Sequence, residues 1–126
     1  MKPIRRVFCV EDNEDIATLI GYHLNVLGYQ VCGIADNGRD AVAGIGKSNP
    51  DLVLIDITLN GKPEGLEIGR FLVSETDIPF IYLSGQDNPE ILRTAQKTVP
   101  AGYLQKPFDE TDLKLALDMA QEKGEV

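Results

Sequence analysis

Four places in the sequence carry groups able to do chemistry together if the fold gathers them: the acid pair Glu11-Asp12, then Asp56, Ser84 and Lys106. Three carboxylates brought close repel one another and raise at least one pKa unless a cation intervenes. A hard divalent ion suits oxygen ligands, and Mg²⁺ characteristically takes one or two carboxylates while keeping several waters; Mn²⁺ is the alternative. Opposite the acids, Lys106 offers a point positive charge and Ser84 a hydrogen-bond donor, a pair suited to an incoming phosphoryl group. Asp56 is then the nucleophile, since an aspartate can form a covalent acyl phosphate. Taken singly, Asp56 is better explained as a solubilising turn residue, so the chemistry depends on convergence.

The elements that must position these groups repeat along the chain. The stretch Asp51 to Asn60, DLVLIDITLN, opens on a continuous apolar run, as expected for a parallel strand covered on both faces, and Asp56 stands at its end. Arg5 to Val10 is an earlier strand that stops at Glu11, Asp12 and Asn13, followed by a helix whose buried face is Ile16, Leu19, Ile20, Leu24 and Leu27, capped by Gly28. His23, on the flank of that face, has no second ligand-type residue in view and is a packing or surface residue. Tyr29 to Ala35 is a second strand, Asn37-Gly38 a turn, and Ala41, Val42 and Ile45 mark a short helix weakened by Gly44 and Gly46 and ended by Asn49-Pro50. After the loop from Thr58 to Glu64, a helix with Ile68, Phe71 and Leu72 returns to Pro79. Pro79 to Leu83 is a fourth strand closed by Ser84-Gly85, and Asn88-Pro89 starts a helix through Val99. Gly102 to Gln105 is a fifth strand ending at Lys106-Pro107, and Asp109 caps a last helix with the core stripe Leu113, Ala116, Leu117 and Ala120.

Strands alternating with helices predict an α/β fold: a doubly wound, five-stranded parallel sheet with five helices on both faces. By analogy with other small doubly wound domains the expected strand order is 2-1-3-4-5, flavodoxin-like. All strand ends that precede helices lie on one edge of such a sheet. Four of the five carry the groups named above.

At 126 residues the chain is expected to be a single domain, with a core from about residue 5 to 120 and a charged tail at 121–126. No apolar run reaches the ~18 residues of a membrane span, and no amino-terminal stretch has the pattern of a secretion signal, so a cytoplasmic location without membrane contact is expected. Cys9 and Cys32 lie in apolar strands, as small buried hydrophobes of a reducing compartment do. Twelve basic against twenty acidic residues, a net charge of −8, oppose direct binding of nucleic acid.

Glu11-Asp12, Asp56, Ser84 and Lys106-Pro107, in this order on this framework, resemble the receiver domain of two-component response regulators, over essentially the whole of Arg5 to Ala120. The resemblance implies that Asp56 accepts a phosphoryl group from a histidine kinase or a phosphotransfer protein. It implies that Asp12, Asp56 and the backbone carbonyl of Thr58 hold Mg²⁺ while Glu11 acts through water. Lys106 would bind the phosphoryl oxygens, Ser84 would swing toward them, and Tyr103 occupies the aromatic switch position. A cis Lys106-Pro107 bond is also implied. Thr58 and Gln86 stand where the family tunes the lifetime of the phosphoryl group. Two departures stand out: Glu11 replaces the commoner aspartate, and the loop TLNGKPEGLE lacks the family's first proline and is one residue longer before Gly65.

A degenerate receiver, used only for protein contacts, is the alternative; the complete set of site residues argues against it. A phosphatase using Asp56 would want a second aspartate two residues on, where Thr58 stands. Flavin binding would place the acids of Glu11 to Glu14 where a phosphate must dock. The residues after the last helix form only a short charged tail, so the chain is expected either to act through its own surface or to be a receiver cut from a longer regulator or hybrid kinase. Leu115 and Met119 point away from the core stripe of the last helix. With Tyr103 and Ile91 they would form a contact face of the fourth helix, fifth strand and last helix, open to a homodimer or another protein.

Overall fold

The computed structural model describes residues 3–85 and 88–124. The elements are β1 (Arg6–Val10), α1 (Glu14–Val26), β2 (Gln30–Ala35), α2 (Gly38–Ser48), β3 (Leu52–Asp56), α3 (Gly65–Glu75), β4 (Phe80–Ser84), α4 (Pro89–Lys97), β5 (Gly102–Gln105) and α5 (Glu110–Gly124). All strand pairings are parallel and the order is β2-β1-β3-β4-β5, the expected flavodoxin-like sheet.

Side chains alternate across each strand, so the sheet divides the core in two. Val53, Ile55, Phe80 and Tyr82 face α2, α3 and α4, where they meet Ala41, Ile45, Ile68, Leu72 and Ala95. Leu52, Leu54, Ile81 and Leu83 face α1 and α5, against Ile20, Leu24, Leu113 and Leu117. β3 lies in the middle and every one of its residues is buried, which is why its sequence is continuously apolar up to Asp56.

Asparagine side chains begin three helices by accepting a backbone N–H: Asn13 from Ile16, Asn37 from Asp40 and Asn88 from Ile91. Asn37-Gly38 is therefore a cap and a first helical residue rather than a free turn. Asp109 and Asp112 cap each other's backbone N–H at the start of α5. Leu19 and Val42, expected in the core, are exposed at 50% and 36%. Each helix meets the sheet along a narrow stripe, Ala17-Ile20-Leu24 in α1 and Ala41-Ile45 in α2, and these two residues lie beside it. α4 stops at Lys97, short of Val99, whose φ of +51° takes the chain out of the helix. α5 continues to Gly124, held by a bond from Ile4 N–H to Gln121 Oε1 (2.7 Å) and one from Lys123 Nζ to the Ala101 carbonyl (2.9 Å).

Candidate functional site

The carboxyl ends of the strands gather the predicted residues. β1 delivers Glu11 and Asp12 just beyond Val10, Asp56 and Ser84 are the last residues of β3 and β4, and Lys106 directly follows β5. Ser84 is buried, and its carbonyl accepts the Lys106 N–H at 2.7 Å, which fixes where the lysine leaves the sheet. From there Lys106 Nζ reaches Asp56 Oδ2 at 2.8 Å and Glu11 Oε1 at 2.6 Å. The following Lys106-Pro107 bond is cis.

Glu11, Asp12 and Asp56 each bring a carboxylate oxygen within 4.8 Å of the others, and they are the one such cluster among the described residues. Glu11 and Asp56 are buried and Asp12 is open to solvent. Burial pushes the Glu11 carboxyl up to about 7, with the nearby Asp56 adding to the effect, although Lys106 and the Asn13 N–H pull the other way. Lys106 goes up as well, because Asp56 and Glu11 outweigh the cost of burying its charge. Asp12 goes down: partial burial opposes ionisation, but the Asn60 N–H and neighbouring donors prevail. One ammonium thus faces three carboxylates. An oxygen-only donor set that keeps a net negative charge beside the one ammonium fits a hard divalent cation such as Mg²⁺.

The loop after β3 was the least legible part of the site. Thr58 is held against Asp56, its N–H reaching Oδ1 at 3.2 Å. The loop closes in a tight turn: Leu59 and Lys62 exchange backbone bonds across Asn60 and Gly61, whose φ values are +54° and +78°. Asn-Gly is the pair that accepts two successive positive φ angles most readily, and this dipeptide was the available signal. The turn aims the Asn60 N–H at Asp12 Oδ2, 2.8 Å away, a contact that sequence reasoning did not find. Glu64, at the end of the loop, accepts the Gly38 N–H at 2.6 Å and so ties the loop to the start of α2. Gly65 then passes so close to the Asp56 carbonyl that a Cβ would collide with backbone.

Tyr103 lies in β5 directly opposite Tyr82 of β4 and is 40% exposed. Ile91 is half-buried on α4. Gln86 lies outside the described residues.

A family model described as the response regulator receiver domain matches residues 7–118. The chain belongs to this family. Among solved structures, the signal receiver domain of a modulated diguanylate cyclase from Desulfovibrio desulfuricans G20 is 33% identical, with 97% of each chain covered and a TM-score of 0.89. The amino-terminal domain of a three-domain response regulator/sensory box/GGDEF protein from Carboxydothermus hydrogenoformans is 27% identical, covering 96% of this chain and 97% of that one, TM-score 0.82. The BeF₃-activated receiver domain of Klebsiella pneumoniae RstA is 26% identical, covering 93% and 98%, TM-score 0.83. Receiver domains are phosphoacceptor signalling modules of two-component systems that interact with histidine kinases or phosphotransfer proteins and typically bind Mg²⁺ at an acidic pocket. This receiver domain has an acidic cluster in Glu11, Asp12 and Asp56. Among its described residues no helix is long and apolar enough to cross a membrane.

Proposed function

We propose that this receiver domain is a signalling switch that takes a phosphoryl group onto Asp56 from a histidine kinase or phosphotransfer partner and signals through a changed surface. The observation that carries the reading is Lys106 Nζ, 2.8 Å from Asp56 Oδ2 and 2.6 Å from Glu11 Oε1, beside a cluster of three carboxylates. A carboxylate oxygen of Asp56 attacks phosphorus, a P–O bond forms, and the P–N bond of the donor phosphohistidine breaks. The departing imidazole keeps the electron pair and takes up a proton. Lys106 exchanges its carboxylate contact for the incoming phosphoryl oxygens. Asp12, Asp56 and the Thr58 carbonyl would hold Mg²⁺, with Glu11 acting through water. Bound there, the ion supplies the charge compensation that a dianion among carboxylates needs. Ser84 donates to the phosphoryl group and Tyr103 follows it inward. The chain thereby assists its own phosphorylation and dephosphorylation without acting as an enzyme on another substrate.

Intact mass after incubation with acetyl phosphate and Mg²⁺ tests this. Wild type is expected to gain one phosphoryl group, and both Asp56→Asn and excess chelator are expected to abolish the gain. Persistence of the gain in Asp56→Asn, or its full extent in chelator, would overturn the reading.

A further inference from the structure

Among the described residues Tyr82 is the bulkiest fully buried side chain, and its hydroxyl pairs with Thr98 rather than with the groups around Asp56. The hydroxyl lies 2.7 Å from Thr98 Oγ1, and Thr98, itself buried, donates its own proton to the Ala95 carbonyl at 2.7 Å. The proton between the two hydroxyls is therefore that of Tyr82. The chain runs from Tyr82 O–H to Thr98 Oγ1, and from the Thr98 O–H to Ala95. It ties the middle of β4 to the carboxyl end of α4. Beyond the phenol stands Gly69 of α3, where any Cβ would collide with Tyr82 Oη. One residue past Thr98, Val99 holds a φ of +51°, strained backbone for a β-branched residue.

This arrangement borders Tyr103. Tyr82 and Tyr103 are register partners, their ring centroids 6.0 Å apart at 38°, and Ser84, two residues along β4, shares their sheet face. A Tyr103 that turns inward moves its ring into the space between Tyr82 and α4. Tyr82 cannot recede, because α3 closes on its hydroxyl at Gly69. The room must come from α4, and the end of α4 is held by Thr98.

We propose that the Tyr82–Thr98–Ala95 hydrogen-bond chain is a latch that holds α4 on β4 and Tyr103 outward, and that it opens when Asp56 is phosphorylated. Tyr82 is then a positioning residue that sets the population of the two arrangements. The inference rests on the phosphoacceptor reading of Asp56.

Beryllofluoride titration in Mg²⁺, with amide and aromatic NMR spectra of the whole chain, tests the latch. Tyr82→Phe keeps the ring and removes the hydroxyl; Thr98→Val keeps the shape and removes the acceptor. Because a latched protein binds only through its open fraction, both variants are expected to bind beryllofluoride about fivefold or more tighter than wild type. Without beryllofluoride their Tyr103 and α4 resonances should lie displaced toward those of saturated wild type. Thr98→Ser retains the hydroxyl and should behave as wild type, which packing alone does not predict. If Tyr82→Phe fails to fold, the comparison of Thr98→Val with Thr98→Ser decides. Folded variants with wild-type or weaker affinity and unmoved Tyr103 resonances overturn the latch and leave Asp56 as acceptor. A wild type that binds no beryllofluoride overturns the acceptor reading itself, and the latch with it.

Discussion

Glu11 shows most directly what a single residue gives up for the site. The residue is 2% exposed and its carboxyl is pushed up to about 7, burial being the main cause, even though Lys106 Nζ lies 2.6 Å away. A carboxyl raised above its ordinary value contributes stability that is complete below the unfolded pKa and is lost as pH rises through the folded one. The window here runs from 4.5, the ordinary value, to about 7. In Mg²⁺-free buffer Glu11→Gln is accordingly expected to melt above wild type at pH 8 and near it at pH 5, where wild-type Glu11 is already protonated. A Glu11→Gln protein less stable than wild type at pH 8 would mean that the Lys106 ion pair outweighs burial. Asp12 contrasts with its neighbour: it is open to solvent and held ionised against partial burial by the Asn60 N–H. Adjacent acids thus differ in environment, the buried one favouring the proton and the exposed one favouring the charge.

At the scale of elements, α2 carries the clearest conflict between local preference and packing. By propensity Gly44 and Gly46 weaken the helix alike, and alanine at either is worth up to about 1 kcal/mol. Packing separates them. A Cβ on Gly44 would lie 2.7 Å from the Phe8 ring, while at Gly46 nothing stands within 4 Å. Overpacking costs about 1–3 kcal/mol, so Gly44→Ala is expected to be net destabilising by about 1 kcal/mol and Gly46→Ala stabilising, as read from urea midpoints at unchanged m. Equal gains at both positions would show that the Phe8 ring moves aside without cost. Gly44 was legible as a helix-weakening residue and not as a contact, because the ring that requires it comes from β1, more than thirty positions earlier in the chain.

For the whole molecule the question is how chemistry at one sheet edge reaches a partner. Tyr103, Leu115 and Met119 line a groove over β5 and α5 that also includes Lys106, and they are 40%, 60% and 48% exposed. Leu115→Glu combined with Met119→Glu is expected to remove any beryllofluoride-dependent increase in sedimentation coefficient shown by wild type, while leaving phosphorylation by acetyl phosphate intact. An increase that survives the double change would place self-association on another face. The βα order, the buried middle strand and the residues at the strand ends are legible in the sequence, because these follow from local periodicity and from the rule that parallel strands end on one edge. Glu11, Asp12, Asp56 and Lys106 were therefore legible as one site before any distance was known. Strand order came only by analogy, and tertiary structure decided it together with the exposure of Leu19 and Val42. It also decided the Asn60 bond to Asp12, the contact of Gly44 with Phe8 and the buried bond between Tyr82 and Thr98. Each of these depends on which atoms meet across separate elements at ångström precision, and hydrophobic period and turn chemistry specify only which face of an element is buried.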